Sequence, residues 1–188
     1  AVEVNTFSYD ADTQDIYLSG DSGVFKVFNE NGLLGPSDWG NKFQGAFEVP
    51  KNNLVIDRDK VYLTALEPAG GGNKDVVVKK INHDSEVLET RTIASSLTNP
   101  TTSLLGGENS LFFMYFEEGS NQKHLHALDY GDLSDVNQNT YTIPTDFRLT
   151  VEGNNGIYAE SDSGKIFGFD KGLPASFRED TISDTEIT

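Results

Sequence analysis

Hydrophobic and polar positions along this chain recur as a unit. Four times a strand-like run carries a β-branched or aromatic residue followed by an aromatic: Ile16-Tyr17, Val61-Tyr62, Phe112-Phe113 and Ile157-Tyr158. The second members lie 45, 51 and 45 residues apart. Each run (DIYLSG, KVYLTAL, SLFFMYF, GIYAES) follows a turn-rich stretch that is itself preceded by an apolar segment. A further strand comes next in every case: VFKVFN, DVVVKKIN, KHLHALD and KIFGFD. All four close on an apolar residue and then Asn or Asp, at Phe28-Asn29, Ile81-Asn82, Leu128-Asp129 and Phe169-Asp170. An Asx side chain there can bond the backbone two residues on and start the turn that ends the strand.

More polar segments complete the units: KFQGAFEV, EVLETRTI, NTYTIP and, least clearly, SFREDTI. Falling hydrophobicity suits an outermost strand, which faces water and must be kept from pairing with other molecules. The pattern predicts an all-β fold of four repeated four-stranded antiparallel units. It reads as one small β-propeller-like domain over 1–188, with units at about 1–50, 51–97, 98–145 and 146–188. The chain starts in an innermost strand and ends after an outermost one, so no unit has to borrow a strand. That favours a closed four-blade ring over an arc of a larger propeller, although four blades close only with strongly twisted sheets.

The turns agree. Asp21-Ser22-Gly23 matches Asp162-Ser163-Gly164, with Gly supplying the positive φ of a tight hairpin. The equivalent segments of units two and three, EPAGGGNKD (67–75) and EEGSNQK (117–123), are expected to be longer projecting loops. GIYAESDSGKIFGFD (156–170) resembles the quinoprotein-type (PQQ-like) propeller repeat, as does DIYLSGDSGVFKVFN (15–29), and HLHALD (124–129) is similar to its second half. The turn holds one extra residue and the docking tryptophan of that family is missing. The resemblance therefore implies a propeller blade and gives no support for a quinone. Four blades is also the size of hemopexin-like domains, whose motifs are not evident here.

Composition narrows the function. With 30 acidic residues against 14 scattered basic ones, the net charge is −16. This disfavours nucleic acid as a partner, since phosphate contacts draw on clustered Lys and Arg. The plainer reading of the charge is a solvated, self-repelling surface, and the sharper one an acidic face for a cation or basic partner. No apolar run is long enough for membrane insertion. The absence of Cys excludes disulfides and thiolate sites and leaves the compartment open. The first residues lack the basic start and apolar core of a secretory signal. Ala1 would also be a natural first residue after loss of an initiator Met, or after cleavage.

Candidate chemistry is sparse. Asp10, Asp12 and Asp15 would suit calcium, the one cofactor the sequence suggests, but DADTQD lacks the mid-loop Gly and closing Glu of a calcium loop, and Asp is a routine turn former. Asp57 and Asp59 occupy the equivalent turn of unit two. His124 and His126 flank one residue and so share a strand face, and with His83-Asp84 they would begin a metal site. The spacing names no further ligands, and surface-facing histidines are the plainer reading. Gly70-Gly71-Gly72 lacks the strand–loop–helix context of a phosphate cradle and reads as a hairpin tip. Partner-binding candidates lie where the units differ: Gly71, Asn73 and Lys74 in one loop, Asn121 in another, and Trp39, Tyr130 and Tyr141 among turn residues. The plainer reading of Trp39 is a plug in the seam between units one and two.

The sequence therefore points to a non-catalytic binding or assembly module taking a protein or glycan partner. An oligomer or part of a larger assembly fits this reading, in an exported, cell-surface or virion setting. Two alternatives stay open: a carbohydrate-active hydrolase with convergent carboxylates at the propeller face, and a calcium-stabilised adhesive domain.

Overall fold

A computed structural model describes residues 6–20, 23–30, 33–36, 47–107, 109–136, 141–144, 147–153, 156–161, 165–170 and 177–181, with side chains over 6–20, 47–107 and 109–136. The described residues form four four-stranded sheets and no helix. The first holds β1 (Thr6–Tyr9), β2 (Ile16–Gly20), β3 (Gly23–Glu30) and β4 (Leu33–Pro36). The second holds β5 (Leu54–Asp57), β6 (Lys60–Gly70), β7 (Asn73–Asn82) and β8 (Val87–Leu97). The third holds β9 (Thr101–Gly106), β10 (Ser110–Phe116), β11 (Gln122–Asp129) and β12 (Tyr141–Pro144). The fourth holds β13 (Phe147–Gly153), β14 (Gly156–Ser161), β15 (Lys165–Asp170) and β16 (Phe177–Thr181). In each, strands adjacent in sequence are neighbours. The chain divides into two compact units, Ala1–Leu105 and Gly106–Thr188.

In the first unit the core gathers Tyr17, Phe47, Val49, Leu54, Val61, Leu63, Ala65, Val77 and Ile81. The central strand β6 is buried without interruption from Val61 to Leu66, so both of its faces are covered. That is why VYLTAL shows no hydrophobic–polar alternation, whereas the outer strand β8 is mostly exposed. β8 also shifts register against β7 at three places. Such irregularities, with its polar side chains, blunt an edge that would otherwise recruit foreign strands.

Two sequence expectations are corrected. The outer strand of the first sheet is Leu33–Pro36, not KFQGAFEV. Residues 42–46 of that segment lie outside the described residues. Its end, Phe47–Val49, is tied to the second sheet through a two-way bridge between Glu48 and Leu66, while Val49 N donates to Gly20 O at 3.1 Å. An apolar stretch alternating like a strand had been equally compatible with such a short tether. EPAGGGNKD, secondly, is not a loop. Its residues extend β6 and β7 as paired strands up to a two-residue tip, Gly71-Gly72, so the extra length went into ladder hydrogen bonds. In the third sheet the polar stretch between β10 and β11 is a loop as expected, with Gly119 at φ 85°.

The Asx rule is visible wherever side chains are described. Asn82 Oδ1 accepts from Glu86 N at 2.8 Å and Asp84 N at 3.1 Å. Asp129 Oδ1 accepts from Gly131 N at 2.6 Å, and the turn it starts folds back so that Asp129 N donates to Ser134 O. Both Asp-Ser-Gly turns lie largely outside the described residues.

Candidate functional site

The most prominent candidate for display is the end of the β6–β7 hairpin. β5 pairs with β6 only from Lys60 to Leu63, so beyond that point the hairpin is flanked by β8 on one side and by the Glu48 bridge on the other. Gly71 and Gly72 have φ of 63° and 88°. Positive φ at both central positions defines the type I′ turn that matches strand twist, and glycine takes it without strain. Gly71 is exposed, Asn73 is half-buried, and Lys74 reaches Glu48 at 3.6 Å. Below the tip, Lys79 is nearly buried, paired with Glu67 at 2.7 Å and lying 5.3 Å over the Phe47 ring. Paired backbone and this partly exposed ion pair make the hairpin a stiff support for its tip.

Two histidine clusters were only partly legible. In the first unit, Tyr17 Oη lies 2.6 Å from His83 Nδ1, and His83 Nε2 lies 3.7 Å from Asp10 Oδ2. Burial first, and then the charges of Asp15 and Asp10, hold the Tyr17 phenol well above its ordinary value. A phenol kept protonated donates to Nδ1, which leaves the imidazole proton on Nε2, facing Asp10. The chain joins β2 to the turn after β7. His83, which the sequence offers with His124 and His126 as the start of a metal site, has Tyr17 and Asp10 as neighbours.

This arrangement has a pH signature. A group whose folded pKa is raised gives stability that is complete below the unfolded value, about 10 for Tyr, and is lost as pH rises beyond it. Urea midpoints measured from neutral to strongly alkaline pH should fall above that value. In Tyr17→Phe the fall should be shallower, while at neutral pH the variant loses about 1 kcal/mol with its hydrogen bond.

In the second unit, β10 and β11 build an aromatic ladder. Phe113 stands opposite His126 and Tyr115 opposite His124 in register. Tyr115 stacks on His124 with ring centroids 4.7 Å apart, and Phe113 on Tyr115 at 6.0 Å. His124 and His126 do share a face, as the strand period requires. The reading of both as surface-facing is corrected for His126, which is buried and bonded to Asp135 Oδ1 at 2.8 Å. Asp135 arrives from the turn that Asp129 starts, a link no sequence period reveals.

Asp10, Asp12 and Asp15 act as turn chemistry. Asp10 Oδ1 accepts from Asp12 N at 2.9 Å and Thr13 N at 3.3 Å, Asp12 is exposed, and Asp15 is buried beside Tyr17. Among the described residues no group of three or more His, Asp or Glu is arranged to hold a metal ion. Asp59 pairs with Lys60, which holds its carboxyl below the usual range. Tyr130 is half-buried, and its hydroxyl donates to Gly107 O at 2.7 Å, tying it to the turn between β9 and β10. Asn121 is exposed in the β10–β11 loop. Trp39 lies outside the described residues, as does the side chain of Tyr141 at the start of β12.

Four meandering antiparallel sheets in series define a β-propeller-like fold. Comparison with solved structures agrees. BamB from Moraxella catarrhalis matches with a TM-score of 0.54 and 15% identity over 97% of this chain and 54% of that one. GH43B of the Bacteroides ovatus xyloglucan locus matches with a TM-score of 0.52 and 11% identity over 97% of this chain and 42% of that one. The chain thus spans about half the length of these structures. At such identities the likeness is one of fold. No protein-family model matches the chain, and no curated protein does.

Proposed function

We propose that the chain is a non-catalytic binding or assembly module that presents the β6–β7 hairpin tip to a protein or glycan partner. One observation carries this reading: the longest strand pair of the described residues ends in an exposed glycine turn, held stiffly by the Glu48 bridge and the Glu67–Lys79 pair. A rigid projecting element loses little conformational entropy when it is bound. The fold by itself hosts many roles and does not select one.

The chain has no cysteine, so a single one can be placed at will. Asn73→Cys carrying a photocrosslinker should give discrete adducts in an extract of the source cells, or label specific members of a glycan array. The same probe at the exposed outer position Glu89→Cys should not. Equal labelling from both positions, or none from the tip, overturns the proposal.

A hydrolase reading is favoured by a different observation: Asp10 and Asp15 are both buried, and both charges act on the Tyr17 phenol. Release of reducing ends from xyloglucan or related polymers, abolished in Asp15→Asn, would support it. Equal inactivity of both proteins would remove it.

A further inference from the structure

Asp10 follows β1, and its side chain is only 3% exposed. One carboxylate oxygen, Oδ1, is fixed by the backbone amides of Asp12 and Thr13. The other, Oδ2, is closed to solvent and accepts no hydrogen bond. A buried carboxylate oxygen without a donor is costly, and native folds nearly always satisfy such an atom. Across from it, 3.7 Å away, is His83 Nε2.

Three ways of joining these two atoms require different separations. A direct N–H···O bond draws them to about 2.7–3.2 Å. A bridging water, about 2.8 Å from each, holds them about 4.6 Å apart. A metal ion about 2.1 Å from each, in tetrahedral geometry, holds them about 3.4 Å apart. The separation of 3.7 Å lies nearest the last. The far side of the ring agrees. A ligating imidazole is ordinarily held by a hydrogen bond at its other nitrogen, and Tyr17 Oη lies 2.6 Å from His83 Nδ1. The His83 side chain is 20% exposed, so an ion can enter from solvent and water can complete its coordination.

We infer that Asp10 Oδ2 and His83 Nε2 are the two protein ligands of a site for a divalent transition-metal ion such as zinc, and that Tyr17 positions the imidazole. One ring nitrogen with one carboxylate oxygen suits zinc, copper or nickel better than calcium, which takes oxygen ligands. On binding, the ring proton moves from Nε2 to Nδ1 and Tyr17 Oη turns from donor to acceptor, so the imidazole stays neutral. Of the three aspartates in this turn only Asp10 is a ligand. Two protein donors make the site weaker than a structural zinc centre with four. All three residues lie in the unit Ala1–Leu105. The ion fastens the turn after β1 to the turn after β7, and so stabilises the fold as its concentration passes the Kd.

Zinc titration of the metal-free full chain, followed by NMR of the histidine rings, tests this, because the chain has only three histidines. The His83 signals should move with zinc and stay in place with calcium. Zinc should raise the melting temperature of the parent chain and not that of His83→Gln. Asp10→Asn, which keeps an oxygen for the turn amides, and Tyr17→Phe should each weaken zinc binding at least about tenfold. His124→Gln should leave it unchanged. Circular dichroism without zinc checks that each variant folds, and His83→Gln carries the test if Asp10→Asn does not fold. His83 signals unmoved by zinc, or affinity undiminished in Asp10→Asn and His83→Gln, overturns the inference. So does binding lost in His124→Gln, which would put the ion at the β11 histidines. Neither result touches the hairpin-tip proposal, which is read by crosslinking from residue 73.

Discussion

Asn53→Asp is expected to remove about 3–5 kcal/mol of stability, the largest loss foreseen for a change that preserves side-chain shape. Asn53 is fully buried in the connection before β5. Its amide nitrogen donates to Lys51 O at 2.6 Å and to Thr102 O at 2.9 Å, tying the connection to β9. Around it, Thr64 N donates to Asn53 O and Leu104 N to Asn52 O, so one short segment fastens β6 and β9 together. A carboxylate would aim negative charge at two carbonyl oxygens in a position closed to solvent. Because burial raises the folded pKa of such an acid, the loss from its charge should be largest at neutral pH, should shrink as pH falls through that raised value, and should be gone below the unfolded carboxyl value of about 4. Asn53→Ala removes the donors without adding charge and should cost only about 1–3 kcal/mol. Urea midpoints of the three proteins at neutral and acid pH check this, with unchanged m values showing that stability moved and compactness did not. Equal midpoints for the Asp and Ala variants at neutral pH would contradict the argument.

Phe113→Ala should cost about 3–5 kcal/mol, the usual range for emptying a buried phenyl site. Phe113 is fully buried on β10 between Tyr115 and His126, with ring centroids at 6.0 and 6.1 Å. Its removal takes one end from the ladder that positions His126 against Asp135. The loss should therefore show in near-ultraviolet circular dichroism as well as in the thermal midpoint. Phe113→Leu keeps most of the volume and should recover more than half of the midpoint, though not the aromatic signal.

How far the fold could be read from residues depended on whether local chemistry decided the outcome. The inner hairpins were legible because burial and turn geometry act within a few positions. Val61-Tyr62 and Phe112-Phe113 fall on the central strands β6 and β10, and Asn82 and Asp129 start turns through their own side chains. The outer strand of the first sheet was misplaced because LLGP is short and KFQGAFEV alternates more convincingly. Only tertiary bonding, the Glu48–Leu66 bridge, shows that the end of the latter is a tether. EPAGGGNKD was misread for a related reason: Pro and three glycines are loop formers locally, yet the register to β7 carries through with a shift between Pro68 and Gly70.

The candidate sites were less legible still. Contacts such as Tyr17 to His83 join residues 66 apart, and no spacing rule anticipates them. Asn53 carried no signal at all, since Asn before a strand is ordinary turn composition. Histidine spacing gave the shared face of His124 and His126 and said nothing of Asp135.

The way the β6–β7 hairpin absorbs its extra residues constrains how related chains can vary in length. A paired arm that gains one residue in each strand near its base turns every side chain beyond the insertion to the other face, so Val77 of the core would trade places with Val76 and Val78. Insertions or deletions should therefore come in steps of two per strand, or one at a time only beside Pro68–Gly70, where the ladder already skips a residue. Sequences aligned to this arm should show a parity rule in their gaps, and a library of arm lengths should express in alternation, even steps folding and odd steps failing.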